Sequence, residues 1–115
     1  MAPSKGLAGV SLEVNVGVNV IVDEQYIDVG GVPVHYLISG EGPPLVLLHA
    51  LGESAFDWRW VLPALASTNR VYAVDLPGFG YSGKPSAEYS PDFFARFVSA
   101  YLDALGLDRT VLVGN

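Results

Sequence analysis

The sequence contains no cysteine, and only six of its 115 residues are basic. Without thiols the chain has no disulfide, no zinc–thiolate site and no cysteine nucleophile. Twelve acidic residues against six basic ones give a net charge of −6, which repels the phosphates of nucleic acids. We therefore expect no nucleic acid partner. Because His35 and His49 are the only histidines, we also expect no metal site.

The N-terminal region lacks any long uninterrupted apolar segment. Residues 1–6 contain one basic residue and lead into no apolar run long enough for a signal peptide. From Val10 to Val22, apolar and polar residues alternate strictly, which predicts a half-buried strand. A membrane span needs about twenty consecutive apolar residues, so this alternation excludes one. We expect a cytoplasmic protein without membrane contact, and we assign no function to residues 1–25, an N-terminal extension.

Residues 26–115 begin with a pattern of predicted strands. Half of the chain is hydrophobic, which is enough for a core, and the length suits one small domain or part of one. The glycine pair Gly30-Gly31 between two β-rich runs predicts a hairpin. The apolar run at 45–48 does not alternate, as expected of a strand that helices cover on both faces.

The rest of the domain alternates between helices and strands. Ser54 can cap a helical segment in which Pro63 predicts a kink or two short pieces. Ser90-Pro91 begins the clearest helix, which Gly106 ends. Two further strands are predicted, at 70–74 and 110–113. Antiparallel strands followed by this alternation predict an α/β fold, in which a parallel sheet is connected by right-handed crossovers.

The first loop of interest is at residues 49–54, directly after the buried strand. Open α/β sheets place their sites at the carboxyl ends of strands. A tight turn here would expose backbone N–H groups that stabilise an oxyanion, and the main chain of Leu51 is the candidate donor. An ordinary strand-to-helix connection is the alternative interpretation. His49 has no identifiable nucleophile partner, so we interpret it as a structural residue that holds the turn.

The second loop, residues 75–85, is rich in glycine and proline. It contains Gly78-x-Gly80-x-x-Gly83, which matches the dinucleotide fingerprint, and most of a P-loop ending at Lys84. The fingerprint must run straight into a helix, whereas the predicted helix begins only at 90, and the P-loop needs Ser or Thr where Pro85 stands. We reject nucleotide binding. The glycines are expected to let the backbone turn sharply and approach another segment closely.

The third loop starts at Gly114-Asn115, the first two positions of the nucleophile elbow G-x-S-x-G. Together the three loops resemble the α/β-hydrolase fold family, over residues 26–115. In that family one strand ends in His-Gly-x and carries the oxyanion loop, which corresponds here to His49-Ala50-Leu51. The next parallel strand ends in Asp-x-x-Gly-x-Gly-x-Ser, which this chain matches at Asp75, Gly78, Gly80 and Ser82.

The resemblance implies a hydrolase without a cofactor that acts on a small ester-like substrate through a serine nucleophile. That nucleophile would follow Asn115, with the acid and the base later still, so we expect the 115-residue chain to be inactive on its own. Half of an epoxide hydrolase or dehalogenase with an aspartate nucleophile is one alternative. A truncated non-catalytic fragment or binding module, with a second chain completing the sheet, is another.

One departure from the family pattern lies in the oxyanion loop. Ala50 stands where the family has glycine, and its methyl group could restrict the turn or crowd the oxyanion. Either the loop adjusts through Gly52, or the activity is reduced.

Overall fold

The computed structural model describes residues 10–13 and 19–115. Within them, six strands form one sheet: β1 (Val10–Glu13), β2 (Asn19–Val29), β3 (Val32–Ser39), β4 (Pro44–Leu48), β5 (Arg70–Val74) and β6 (Val111–Gly114). Their spatial order is β1-β2-β3-β5-β4-β6. The pairs from β1 to β5 along this order are antiparallel, whereas β4 is parallel to both β5 and β6. The predicted α/β fold, with leading antiparallel strands and then parallel ones, is confirmed.

The N-terminal alternation does not form one continuous strand, so that prediction is wrong. Its two ends pair with each other in antiparallel register, with Val10 opposite Val22, while residues 14–18 lie outside the described part. An alternation of period two has the same appearance in one long strand and in two paired ones, so the pattern alone does not reveal a reversal of direction. Strand β2 also continues to Val29, across the boundary that we predicted between residues 25 and 26.

The hairpin between β2 and β3 turns at the predicted glycine pair. Gly30 and Gly31 have φ values of 59° and 88°, the left-handed conformation that both central residues of a type I′ turn require. The N–H of Gly31 also donates to the carboxylate of Asp28 at 3.2 Å. This turn sets the register of the two strands, in which Tyr26 lies opposite His35.

The helices begin and end where the sequence predicts. A 3₁₀ helix, Ala55–Trp58, is capped by Ser54 and is followed by the separate short helix α1 (Leu62–Ala66), which has Pro63 in its first turn. The long helix α2 (Pro91–Leu105) has Ser90 as its N-cap and ends at Gly106, whose φ is 75°. None of the helices in the described part is long and apolar enough to cross a membrane.

Two hydrophobic clusters cover the faces of the sheet. On one face, the 3₁₀ helix and α1 contribute Ala55 and Leu62 to a cluster with Leu47 and Val71. On the other face, α2 contributes Phe97 and Tyr101 to a second cluster. Strands β4 and β5 are therefore buried on both faces, as the apolar run at 45–48 predicts.

Candidate active site

Three strand ends meet at one edge of the sheet. Leu48 at the end of β4 lies opposite Val74 of β5 on one side and opposite Gly114 of β6 on the other. The backbone N–H of Asn115 continues this register and donates to the carbonyl of Leu48 at 3.2 Å. The structure thus brings the turn that begins at His49, the glycine-rich loop and residues Gly114-Asn115 to the same edge of the sheet.

The turn after β4 presents an unengaged backbone donor. It is closed by a hydrogen bond of 3.0 Å from the N–H of Glu53 to the carbonyl of Ala50. Gly52 has a φ of 83°, the value of the third residue in a type II turn. Leu51 is 69% exposed, and its N–H donates to no described residue. No described group therefore accepts a hydrogen bond from this N–H.

Ala50 fits the turn without backbone strain. Every positive φ among the described residues belongs to a glycine, so Ala50 is not in the left-handed region. The left-handed residue of the turn is Gly52, where an added Cβ would meet no described atom within 4 Å. The turn therefore takes its tight conformation at Gly52, one of the two outcomes that the sequence left open.

His49 is buried and bonded to the backbone through both ring nitrogens. Its Nε2 accepts the N–H of Leu76 at 2.9 Å, so this nitrogen carries a lone pair. Its Nδ1 lies 2.7 Å from the carbonyl of Ala50 and must carry the proton. The ring also meets Phe79 edge-on at 5.6 Å between centroids. A neutral ring with both nitrogens engaged holds the turn against the end of β5 and has no lone pair left to act as a general base.

Of the described side chains of the site, that of Asp75 makes the most hydrogen bonds. It follows β5, is 2% exposed, and was singled out in the sequence only as a motif position. Its Oδ1 accepts the N–H of Ala55 at 2.7 Å, and its Oδ2 accepts the N–H of Tyr81 at 2.9 Å. One buried carboxylate therefore joins the first residue of the 3₁₀ helix to the glycine-rich loop.

His35, in the middle of β3, is the second functional candidate that sequence reasoning missed. Its Nδ1 lies 2.8 Å from Oδ2 of Asp75, and its Nε2 lies 2.9 Å from Oε1 of Glu24 on β2. The side chains of His35 and Asp75 are 4% and 2% exposed, and that of Glu24 is 23% exposed. A histidine is thus held between two carboxylates; we call these three residues the charged network.

Within the charged network, the pKa values of His35 and Asp75 are shifted in opposite directions. Burial alone would lower the pKa of His35, but its hydrogen bonds to Asp75 and Glu24 and their negative charges outweigh burial and raise that pKa above 6.5. Burial alone would raise the pKa of Asp75. Hydrogen bonds from His35, Ala55 and Tyr81 outweigh it and hold the pKa of this carboxyl below 3.8.

The glycine-rich loop packs against the charged network, as its glycines predict. Gly80 has a φ of 55°, and an added Cβ would overlap the carboxylate of Asp75. The hydroxyl of Ser82 donates to the carbonyl of Asp75 at 2.6 Å and accepts the backbone N–H of His35 at 2.8 Å. Since α2 begins only at Pro91, the loop does not run into a helix, and the nucleotide motifs lack the structural context they need.

A signal for Glu24 and His35 was present in the sequence. Once Gly30-Gly31 sets the hairpin register, Tyr26 lies opposite His35, and Glu24 is on the same face two residues away. The two side chains are therefore diagonal neighbours in the sheet. The contact of His35 with Asp75 had no such signal, because it depends on the antiparallel pairing of β3 with β5.

A cavity of about 550 Å³ lies beside the charged network. Its walls are largely apolar, and among the residues that line it are Val22, Leu37, Phe56 and Tyr81. Within residues 10–13 and 19–115, no group of three or more acidic or histidine side chains is placed to hold a metal ion.

Comparison with known proteins agrees with this arrangement. The family model of the alpha/beta hydrolase fold matches residues 43–115. The chain is 41% identical to 2-hydroxy-6-oxo-6-(2'-aminophenyl)hexa-2,4-dienoic acid hydrolase of Metapseudomonas resinovorans over 96 residues, which cover 80% of this chain and 33% of the relative. It is 39% identical to soluble epoxide hydrolase of Corynebacterium sp. (strain C12), over 76% of this chain and 30% of the relative.

A solved structure shows the same fold. The crystal structure of the haloalkane dehalogenase DatA from Agrobacterium tumefaciens C58 superimposes with a TM-score of 0.77 at 35% sequence identity. The superposition covers 82% of this chain and 32% of the dehalogenase. The chain thus spans about a third of the length of each of these three proteins.

Proposed function

This chain belongs to the α/β-hydrolase family, and we propose that its residues 49–52 supply half of the oxyanion hole of a serine-type hydrolase that acts on a small ester-like substrate. The observation that carries this proposal is the free N–H of Leu51 at the strand edge where Asn115 lies. In the elbow motif, the second donor is the backbone N–H of the residue after the nucleophile. The two donors would then face each other across the ends of β4 and β6.

A second candidate function uses an aspartate nucleophile at the same elbow. It is supported by the relatives, which include a soluble epoxide hydrolase and a haloalkane dehalogenase. The two candidates differ in the nucleophile that they require. The identity of the residue encoded after Asn115 separates them: serine supports the ester hydrolase, and aspartate supports the alternative.

The 115-residue chain is proposed to be inactive by itself. Both of its histidines use both ring nitrogens in hydrogen bonds, so neither has a free lone pair for a nucleophile. The hydroxyl of Ser82 is buried and engaged at both its donor and acceptor positions. The described residues therefore contain no activated serine.

The exposed side of β6 is the proposed surface for the remainder of the sheet. Among the described strands, β6 pairs only with β4, and its Val111, Leu112 and Val113 are 56%, 46% and 36% exposed. Apolar side chains beside an unpaired strand edge favour the addition of another strand. The partner is proposed to be the remaining part of a hydrolase domain, on the same polypeptide or on a second chain.

The experiment is a hydrolysis assay of residues 1–115 with p-nitrophenyl acetate, alone and mixed with any polypeptide encoded after Asn115. We expect turnover only in the mixture or in a continuous polypeptide that contains both parts. Turnover by residues 1–115 alone that a serine-directed phosphonate abolishes would contradict the proposal. The aspartate alternative predicts turnover of an epoxide or a haloalkane, and none of the ester, in the same mixture.

A further inference from the structure

The turn that carries Leu51 is attached at its two ends to two adjacent residues, Leu76 and Asp75. At its start, the ring of His49 accepts the N–H of Leu76 at 2.9 Å. After its end, the N–H of Ala55 donates to Oδ1 of Asp75 at 2.7 Å. Since Asp75 and Leu76 are adjacent, a displacement of the Asp75 carboxylate would move one attachment of the turn relative to the other.

The carboxylate of Asp75 is in turn held by His35. Both ring nitrogens of His35 face carboxylate oxygens, at 2.8 Å for Asp75 and 2.9 Å for Glu24. An ionised carboxylate accepts hydrogen bonds but donates none, so each ring nitrogen must carry a proton to bond with it. When both carboxylates are ionised, this geometry makes His35 an imidazolium that lies between two negative groups.

We propose that His35 is a positioning residue for the oxyanion turn: its imidazolium orients the carboxylate of Asp75, which places Ala55 and thereby the N–H of Leu51. This inference rests on the proposed function, in which that N–H is the oxyanion donor. His35 acts through Asp75 and does not touch the turn itself. Loss of the ring proton would leave one carboxylate facing a lone pair, and the Asp75 side chain would lose its fixed orientation.

Within residues 10–13 and 19–115, the groups in contact with the ring of His35 include no cation. The charged or titratable groups that face the ring are Glu24 and Tyr26 from β2, Asp75 after β5, and Tyr81 from the glycine-rich loop. The rings of Tyr26 and Tyr81 lie 5.1 and 5.3 Å from that of His35. Of the described groups that face it, the carboxylates favour the protonated ring.

The first test is ¹⁵N NMR of the histidine rings in the complete 115-residue chain. At neutral pH we expect two protonated ring nitrogens for His35 and one for His49, which serves as the internal control. As the pH is raised, the amide signals of Ala55, Tyr81 and Leu51 should shift together with the deprotonation of His35. The proposal is overturned if His35 has only one protonated ring nitrogen at neutral pH. It is also overturned if the Leu51 amide signal does not change as His35 titrates.

The second test uses His35→Gln, which keeps a donor but removes the charge. We expect amide hydrogen exchange at Ala55 to accelerate by about 10- to 100-fold, the range for loss of a hydrogen bond to a charged group. The matched control is Glu88→Gln, which removes an exposed carboxylate outside the charged network. If the Ala55 amide exchanges at the same rate in His35→Gln and Glu88→Gln, the result contradicts the positioning role of His35.

These tests are separate from those of the proposed function, because they measure the turn and not turnover. Suppose that the amide signal of Leu51 shifts with the titration of His35, but the N–H of Leu51 proves unnecessary for turnover. The positioning role of His35 then stands, and the assignment of the oxyanion donor fails. If the N–H is necessary but does not respond to His35, the donor stands and the positioning role fails.

Discussion

Replacing Leu51 with proline removes the proposed oxyanion donor and leaves the turn intact. In the turn from Ala50 to Glu53, Leu51 is the second residue, and a type II turn favours proline at that position. The closing hydrogen bond uses the N–H of Glu53 and not that of Leu51. The substitution therefore deletes one N–H at a position whose geometry already suits the new residue.

The expected loss of activity follows from the single donor that is removed. The N–H of Leu51 makes no hydrogen bond to a described residue, so its deletion costs the folded chain little. Removing one oxyanion-hole donor reduces kcat by about 100- to 1,000-fold, which corresponds to about 2.7–4 kcal/mol of transition-state stabilisation. The substrate KM should change much less, because the oxyanion forms only after substrate binding.

The assay compares Leu51→Pro with Leu51→Ala in an active protein that contains these residues. Leu51→Ala removes the exposed side chain but keeps the N–H, so we expect it to retain most of its kcat. The NMR signal of the Ala55 amide shows in both variants whether the turn remains attached. A Leu51→Pro variant with an intact turn and unchanged kcat would refute the assignment of this N–H as the oxyanion donor.

Three further predictions concern the stability of the chain itself, measured by urea denaturation. Tyr101→Phe should stabilise it by about 1–3 kcal/mol, because the buried hydroxyl has no hydrogen-bond partner among the described residues. The hydroxyl of Tyr89 donates to a carbonyl at 2.6 Å, so Tyr89→Phe should destabilise the chain by about 0.5–1.5 kcal/mol. Equal changes in stability for the two variants would contradict this reasoning. Gly80→Ala should lower the free energy of unfolding by roughly 2–4 kcal/mol, because the new methyl group adds backbone strain and overlaps the Asp75 carboxylate. The matched control Gly52→Ala adds strain in open space and should lower it by about 1–2 kcal/mol. The stabilising contribution of His35 should be fully present below pH 6.5, its ordinary pKa, and lost as the pH rises through its raised pKa in the folded chain. A His35→Gln variant that keeps the full alkaline decrease in stability would show that another group causes it.

Most elements of the fold were predictable because their signals are local. Ser54 and Ser90 cap helices, Pro63 separates two helical pieces, and Gly30-Gly31 turns a hairpin, each through a backbone preference that neighbouring residues do not override. The N-terminal alternation failed for the opposite reason. A period of two identifies strands but does not tell whether the chain reverses direction between them.

For the candidate site, too, the sequence revealed features that follow from a local pattern but not those that depend on contacts between distant residues. The turn with Leu51 and the elbow start at Asn115 were identified by their positions after strands, which a pattern along the chain records. The tautomer of His49 was not, because it depends on a contact with Leu76, 27 residues further along the chain. The motif position of Asp75 was read in the sequence, but its hydrogen bonds to Ala55 and Tyr81 were not.

The sequence by itself determined the order of strands and helices and the family to which they belong, and it predicted the loops at which the chemistry would be placed. Only the tertiary structure showed that His35 lies between the carboxylates of Asp75 and Glu24, and that Asp75 also accepts the N–H of Ala55. The physical reason is that ionisation depends on which groups surround a side chain. The two carboxylates that flank His35 lie 11 and 40 residues away along the chain, and pairing of β3 with β2 and with β5 brings them together.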